Sequence, residues 1–410
     1  MPRRSLIAGL ALLLTPVATL GFEAVDALTP SSSGRFPAYP MEEIPVHQYW
    51  VQMGLMIDTN MLRRTVSDGT SGVVRLGVGG RQDTRVYGRQ TVHLEGRLDA
   101  YVYDRYDNLD NVAYGGLAEW RWELGNDLAG ILSASRRRYQ ADLAQIQTAR
   151  RDLITETRVV ANGAYRVGPS FRLRGGAEWT DYNRPGQREA ETQTLAGFAG
   201  IDYVSPLNNT LGLEYRQAHG GAPVNELVDP LGVFVNNGFR QRDVALVAGF
   251  FSPQLRFGGR VGRTERSYTA LPGRDFKGTT YRANAEWLPG NKTALGLEIY
   301  KEPRSIIDIG ASHVLVKGYA FGPGWAPTAK LSFSARAFHE HLTFSGDPST
   351  ALGVTALREE IVRGVRLGAY WEYTRQTHFT FAVDHGDRES STLGRDFRYN
   401  AVIANARYLF

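Results

Sequence analysis

The sequence predicts an all-β protein: a transmembrane outer-membrane β-barrel of about 18 antiparallel strands, with both termini periplasmic. Three observations lead there. From Tyr49 to Phe410 apolar residues recur with a period of two. Tight-turn signals return at intervals that hold a pair of strands and a loop. After the N-terminus, no run approaches the roughly 20 apolar residues a spanning helix needs. The 410 residues are 42% apolar and 11% aromatic, which excludes a disordered chain. With Cys 0, neither disulfides nor a cysteine metal site can hold the fold, so it must rest on backbone pairing.

In chain order, Arg3 and Arg4 form a basic start, Leu6 to Leu14 an apolar stretch and Val25-Asp26-Ala27 a small-residue cleavage pattern. Residues 1–27 therefore read as a signal peptide. Residues 28–48, with Pro30, Pro37, Pro40 and Pro45, read as an extended periplasmic leader, and residues 49–410 as the barrel. Within it, Val92, Leu94, Leu98, Ala100 and Val102 alternate with His93, Glu95, Arg97, Asp99, Tyr101 and Tyr103. Ala118, Trp120, Trp122 and Leu124 alternate with Glu119, Arg121 and Glu123, and Val365, Leu367, Ala369, Trp371 and Tyr373 with Arg366, Tyr370 and Glu372. Each strand thus has one greasy and one polar face.

Turns are signalled at Gly88, Asn126, Pro169, Pro206, Pro253, Gly290, Pro327 and Arg375. Longer polar segments surround Ser67, Asn108, Gln147, Arg184, Val224, Pro272, Ser305, Pro348 and Ser391. Short turns on one side, long loops on the other and an even strand number are what an outer-membrane barrel requires. A closed sheet is also the only sheet that leaves no backbone group unpaired in lipid. The chain ends on Tyr408-Leu409-Phe410, a pattern like the terminal signal read by the barrel assembly machinery.

Five segments carry a family resemblance: Asp58-Thr59-Asn60-Met61-Leu62-Arg63, Tyr101 to Asp110, Ala118 to Leu124, Ser133-Ala134-Ser135-Arg136-Arg137 and Asn237 to Arg242. In order and spacing they resemble the EpsL-type outer-membrane proteins of exopolysaccharide biosynthesis operons, within the wider β-barrel porin type 2 group. Met61-Leu62 departs from the Leu-Phe expected there. The resemblance implies export of an exopolysaccharide across the outer membrane, with a periplasmic polysaccharide-export protein as partner.

About 18 strands enclose a lumen wide enough for solutes. The candidate path along the inward phase is Glu95, Arg97, Asp99, Tyr101, Tyr103, Glu119, Arg121, Arg174, Arg260, Arg282, Arg336, Arg366 and Tyr370, an Arg-rich track for an acidic polymer with tyrosine faces for sugar rings. The plain alternative is that Arg and Glu pairs stiffen a hydrated wall. Two other functions fit the sequence: a general diffusion porin for small solutes, and an outer-membrane hydrolase using Ser345 with His339, His341 and Asp347, or with His378, Asp384 and His385 nearby. Gly72, Gly77, Gly79 and Gly80 precede no helix and so make no phosphate loop. Neither a cofactor motif nor a nucleic-acid module is present.

Overall fold

In a computed structural model of the chain, 18 strands close into one antiparallel sheet. The structure describes residues 46–410 apart from 187, 189–190, 222, 224–225, 228–233, 236–237, 271–274, 305–312 and 346–357. The expected signal peptide, and the leader up to residue 45, lie outside the described residues. The first nine strands are β1 (Val46–Asp58), β2 (Ser71–Tyr87), β3 (Gln90–Tyr103), β4 (Asn111–Leu124), β5 (Leu128–Gln140), β6 (Leu153–Val167), β7 (Phe171–Asn183), β8 (Thr192–Val204) and β9 (Thr210–Gly221). A short ribbon of β10 (Glu226–Leu227) and β11 (Phe234–Val235) occupies the following loop. The barrel resumes with β12 (Phe239–Phe251), β13 (Leu255–Tyr268), β14 (Phe276–Gly290), β15 (Thr293–Arg304), β16 (His313–Trp325), β17 (Leu331–Ser345), β18 (Glu359–Glu372), β19 (Thr377–Ser390) and β20 (Phe397–Leu409).

Neighbouring strands pair with their sequence neighbours, β9 pairs β12 across the ribbon, and β1 meets β20 with Trp50 opposite Leu409 and Asp58 opposite Ala401. The expected short turns fall between strands, with Gly290 ending β14, as do the expected loops around Ser67, Asn108, Gln147, Arg184 and Ser391; the loop centres Val224, Pro272, Ser305 and Pro348 lie outside the described residues. Both ends of the barrel chain lie on the short-turn side. The tightest connections use Gly88, Gly125 and Gly168 at φ of 55°, 64° and 63°, a region where a side chain is strained.

Side chains obey the period of two. Along β1, Tyr49, Val51, Met53, Leu55 and Ile57 are exposed, while Trp50, Gln52, Met56 and Asp58 are buried. The outward face is an apolar band between two rows of aromatics. Tyr165, Tyr203, Trp287, Trp325 and Trp371 mark the turn side, and Trp179, Tyr215, Tyr281 and Tyr319 the loop side. This outer face is lipid-facing, and the chain is a bacterial outer-membrane barrel.

Inside, long polar side chains lie flat along the wall. Asp99 accepts from Arg75 Nε and Gln52 Nε2, each at 2.8 Å. Its carboxylate crosses over Gly77, where a Cβ would meet Asp99 Oδ1 at 2.2 Å. Asp202 crosses Gly212 in the same way, at 2.0 Å. Glycine is needed at both positions for this close approach. Gly77→Val should push Asp99 off a guanidinium that is only 1% exposed, a loss of about 3 kcal/mol. The urea midpoint of the heat-modifiable folded band should fall; an unchanged midpoint would mean that Asp99 finds room elsewhere.

Candidate functional site

The barrel turns every residue of the sequence-predicted path toward the lumen, and it gives nearly all of the cations a carboxylate. Arg121 lies 2.5 Å from Glu119, Arg366 2.6 Å from Asp384, and Arg336 3.3 Å from Glu298. Arg282 bridges Glu298 and Glu302, and Arg97 reaches within 4.0 Å of Asp99. Glu95 stands 3.7 Å from His93. The aromatic members are not free faces. Tyr103 and Tyr370 are 8% and 5% exposed, Tyr370 shares a 3.1 Å hydrogen bond with His378, and Tyr101 lies beneath the Arg75 guanidinium at 5.9 Å. The tyrosine slide expected from sequence is therefore absent among these residues.

The densest charged cluster spans β7, β8, β9 and β13. Arg172 and Arg174 both donate to Asp202, at 2.6 and 2.9 Å. Arg174 and Arg260 share Glu214, at 2.5 and 3.4 Å, and Arg216 reaches Glu178 at 3.4 Å. One N–H group on each of Arg174 and Arg260 is buried without a hydrogen-bond partner. The sequence points to Arg174 and Arg260 but not to Arg172, Asp202 or Glu214. The alternation itself was the available signal: Asp202 shares a phase with Gly200 and Phe198, and Glu214 with Gly212 and Arg216. What the pattern could not give is that the cluster assembles across four strand boundaries, from β7 to β13.

The loop-side mouth is built differently. After β1 the chain folds inward: Asp58 and Arg63 form a buried pair at 2.7 Å, and the Arg63 guanidinium sits 3.6 Å above the Tyr399 ring. Met61, Leu62 and Leu109 pack on the lumenal side chains Met56, Val73, Tyr103 and Ile403, with Leu62 2% and Leu109 0% exposed. A single helical turn, α1 (Leu143–Ile146), starts where Asp142 accepts from the Ala144 amide at 2.9 Å, and lays Ala144 against Phe397, Tyr399 and Ala401.

These inward loops are stitched together. Arg64 Nε donates to the Gln147 carbonyl at 3.0 Å, Gln147 Nε2 to that of Arg63 at 2.6 Å, and Arg395 to that of Gln145 at 3.1 Å. Asp104, on the loop after β3, accepts from the Ser71 hydroxyl at 2.6 Å, which holds its carboxyl below the usual aspartate range. The lumen is thus narrowed on its β1–β3 and β19–β20 side. The purely polar inward phase expected from sequence fails there because covered positions must be apolar to pack.

The chain matches no family profile and no curated protein. Among solved structures it is similar to Pseudomonas aeruginosa OccK9 (OpdG), at 10% identity and a TM-score of 0.51, covering 89% of this chain and 98% of that one. It is similar also to OpdO from the same organism, at 12% identity and a TM-score of 0.50, with coverages of 89% and 97%. OccK2 (OpdF), solved in complex with glucuronate, aligns at 14% identity and a TM-score of 0.47, with coverages of 88% and 98%. The shared architecture is the closed 18-stranded antiparallel barrel.

That finding corrects the functional expectation. The solved neighbours share the barrel and give the exopolysaccharide conduit and its periplasmic export partner no support, so the EpsL-type resemblance holds only at the level of a β-barrel. The physical reasons agree: the predicted Arg track is largely ion-paired, two of the three tyrosines are buried, and one side of the mouth is packed. The hydrolase constellation is divided by the barrel wall. Strand parity puts His339, His341 and His385 outside and His378 and Asp384 inside, while Asp347 and the Ser345 side chain lie outside the described residues. Replacing Leu62 and Leu109 together with Ser should release the inward loops and raise both single-channel conductance and current noise. Unaltered currents would mean that the packing does not limit the pore.

Proposed function

We propose that the chain is a passive outer-membrane channel for small hydrophilic solutes. The observation that carries this reading is the closed 18-stranded sheet whose lumen is lined by charged side chains and narrowed at the loop side by folded-in segments. Such a lumen is wide enough for water and metabolites, because a barrel's diameter grows with strand number and only about eight strands are filled by their own side chains. Paired Arg and carboxylate groups keep that wall hydrated without a strong net field, which fits a diffusion pore that admits solutes of either charge. The wall needs to perform no bond chemistry.

Residues 1–27 serve in this reading as the export signal. Tyr408 and Phe410, exposed and in edge contact at 5.2 Å, stand as the assembly signal. Liposomes holding the purified barrel should swell in isosmotic monosaccharides and amino acids and remain unresponsive to long polysaccharide. A barrel that conducts neither ions nor monosaccharides would overturn the proposal. Selectivity gives a second test. Glu214→Gln removes the carboxylate that Arg174 and Arg260 share, so the reversal potential in a salt gradient should move toward anion preference. No movement would place Glu214 off the ion path.

A further inference from the structure

Every lysine that lies on a strand of this barrel faces outward. Strand parity turns most strand arginines into the lumen, while Arg136, Arg138, Arg240, Arg242, Arg263, Arg363 and Arg398 face out. The lysines number five in the whole sequence: Lys277, Lys292, Lys301, Lys317 and Lys330. Lys292 and Lys330 lie in turns, and the other three lie on successive strands, β14, β15 and β16, all facing out. Lys301 is directly opposite Lys317, and Lys317 directly opposite His341. Like charges facing each other across strands are unfavourable on their own account. Among the described residues, no carboxylate lies within ion-pair distance of Lys301 or Lys317. Lys277 is paired with Glu265 at 2.5 Å, and His341 stands 3.7 Å from Glu359.

The height of this row gives its meaning. Lys301 faces Tyr281, and one step toward the turns Tyr319 stacks on His339 with ring centroids 5.4 Å apart. Tyrosine rings of this kind mark a membrane interface. Below them the outward residues are Leu297, Ile299 and Phe321, with no outward charge down to Trp325. The lysines therefore stand where lipid head groups begin, on long stems that can reach along the wall. Arg240 and Arg242 on β12 extend the positive face around the barrel, whereas Arg263 on β13 is matched by Glu265 at 3.6 Å. On β1–β4, by contrast, no outward position carries Lys, Arg, Asp or Glu. On β18 and β19 the outward Arg363 is already matched by Glu389 at 3.1 Å and Asp387 at 3.8 Å.

We infer that the outer face of β14–β17, centred on Lys301, Lys317 and His341, docks the phosphoryl groups of a phosphorylated glycolipid in the outer leaflet. The complementarity is that of charge and position: ammonium groups on adjacent strands, without a carboxylate partner among the described residues and held at head-group depth, where lipid phosphates lie. A lysine ammonium suits this task as a point charge with movable donors that takes a phosphate from any direction. The inference is independent of what passes through the lumen.

The test uses the full barrel in detergent, with lipopolysaccharide as the probe. The double variant Lys301→Gln, Lys317→Gln should bind it about thirtyfold more weakly than the parent while keeping the same single-channel conductance. For the unaltered protein, enzymatic dephosphorylation of the probe should cause a comparable loss, and inorganic phosphate alone should not compete. Two results would overturn the inference: equal binding of the phosphorylated and dephosphorylated lipid by the unaltered barrel, or an equal loss when Lys292 and Lys330 at the turns are replaced instead. The first comparison needs no variant, so it decides even if the substituted barrel folds poorly.

Discussion

Lipid offers no hydrogen bonds, and that single fact governs this molecule. Every amide and carbonyl in the spanning region must find a partner in the sheet, so the first strand has to meet the last. The β1–β20 seam, running from Trp50 opposite Leu409 to Asp58 opposite Ala401, is the geometric statement of that need. Closure fixes the rest. An even strand number returns both ends to the turn side, and the pleat sends alternate residues to lipid and to water. Because a slip of one residue would exchange those faces, the hydrophobic pattern also locks the register.

A closed sheet of 18 strands encloses more room than its own side chains fill, and the chain handles that room in two ways. Along most of the wall it uses Arg and carboxylate pairs that lie flat, several crossing a glycine on the next strand. The cost of desolvating such groups is met by making two or three charged contacts at once, as Asp202 does with Arg172 and Arg174. At the loop side it spends no charge on part of the mouth. Leu62 and Leu109 close over Val73 and Ile403, and one buried pair, Asp58 with Arg63, ties the loop to the end of β1. The wall is charged along most of the lumen and apolar where loops pack on it.

The barrel was legible in the sequence because its rules are local. A period of two, a turn signal and a long polar loop can each be read within a few residues, and together they gave strand number and connection type. The lumenal phase was legible for the same reason. What passes through was not, since it depends on which side chains meet across strands and on how the loops fold, both long-range facts. Met61 and Leu62 illustrate the limit: they sit in a loop by every local sign, yet they pack as core. The family resemblance rested on these same locally recurring patterns, which porins of many functions share, so it carried the barrel correctly and the polymer wrongly.

Arginine and lysine are divided unequally between the two faces of the sheet. A guanidinium offers a planar fork that matches a carboxylate, so it can be tied down in a wall where a loose side chain would obstruct the pore. Arg174, held by Asp202 and Glu214 together, has little freedom left. An ammonium is a hydrated point charge on a flexible stem, poorly suited to such a lattice but well suited to an interface whose partners move. The chain places lysine at two turns and on the outer rim and turns most of its strand arginines inward, although the two carry the same charge. Net charge alone therefore says little about this protein's partners; what matters is how firmly each cation is held, and toward which side of the sheet it points.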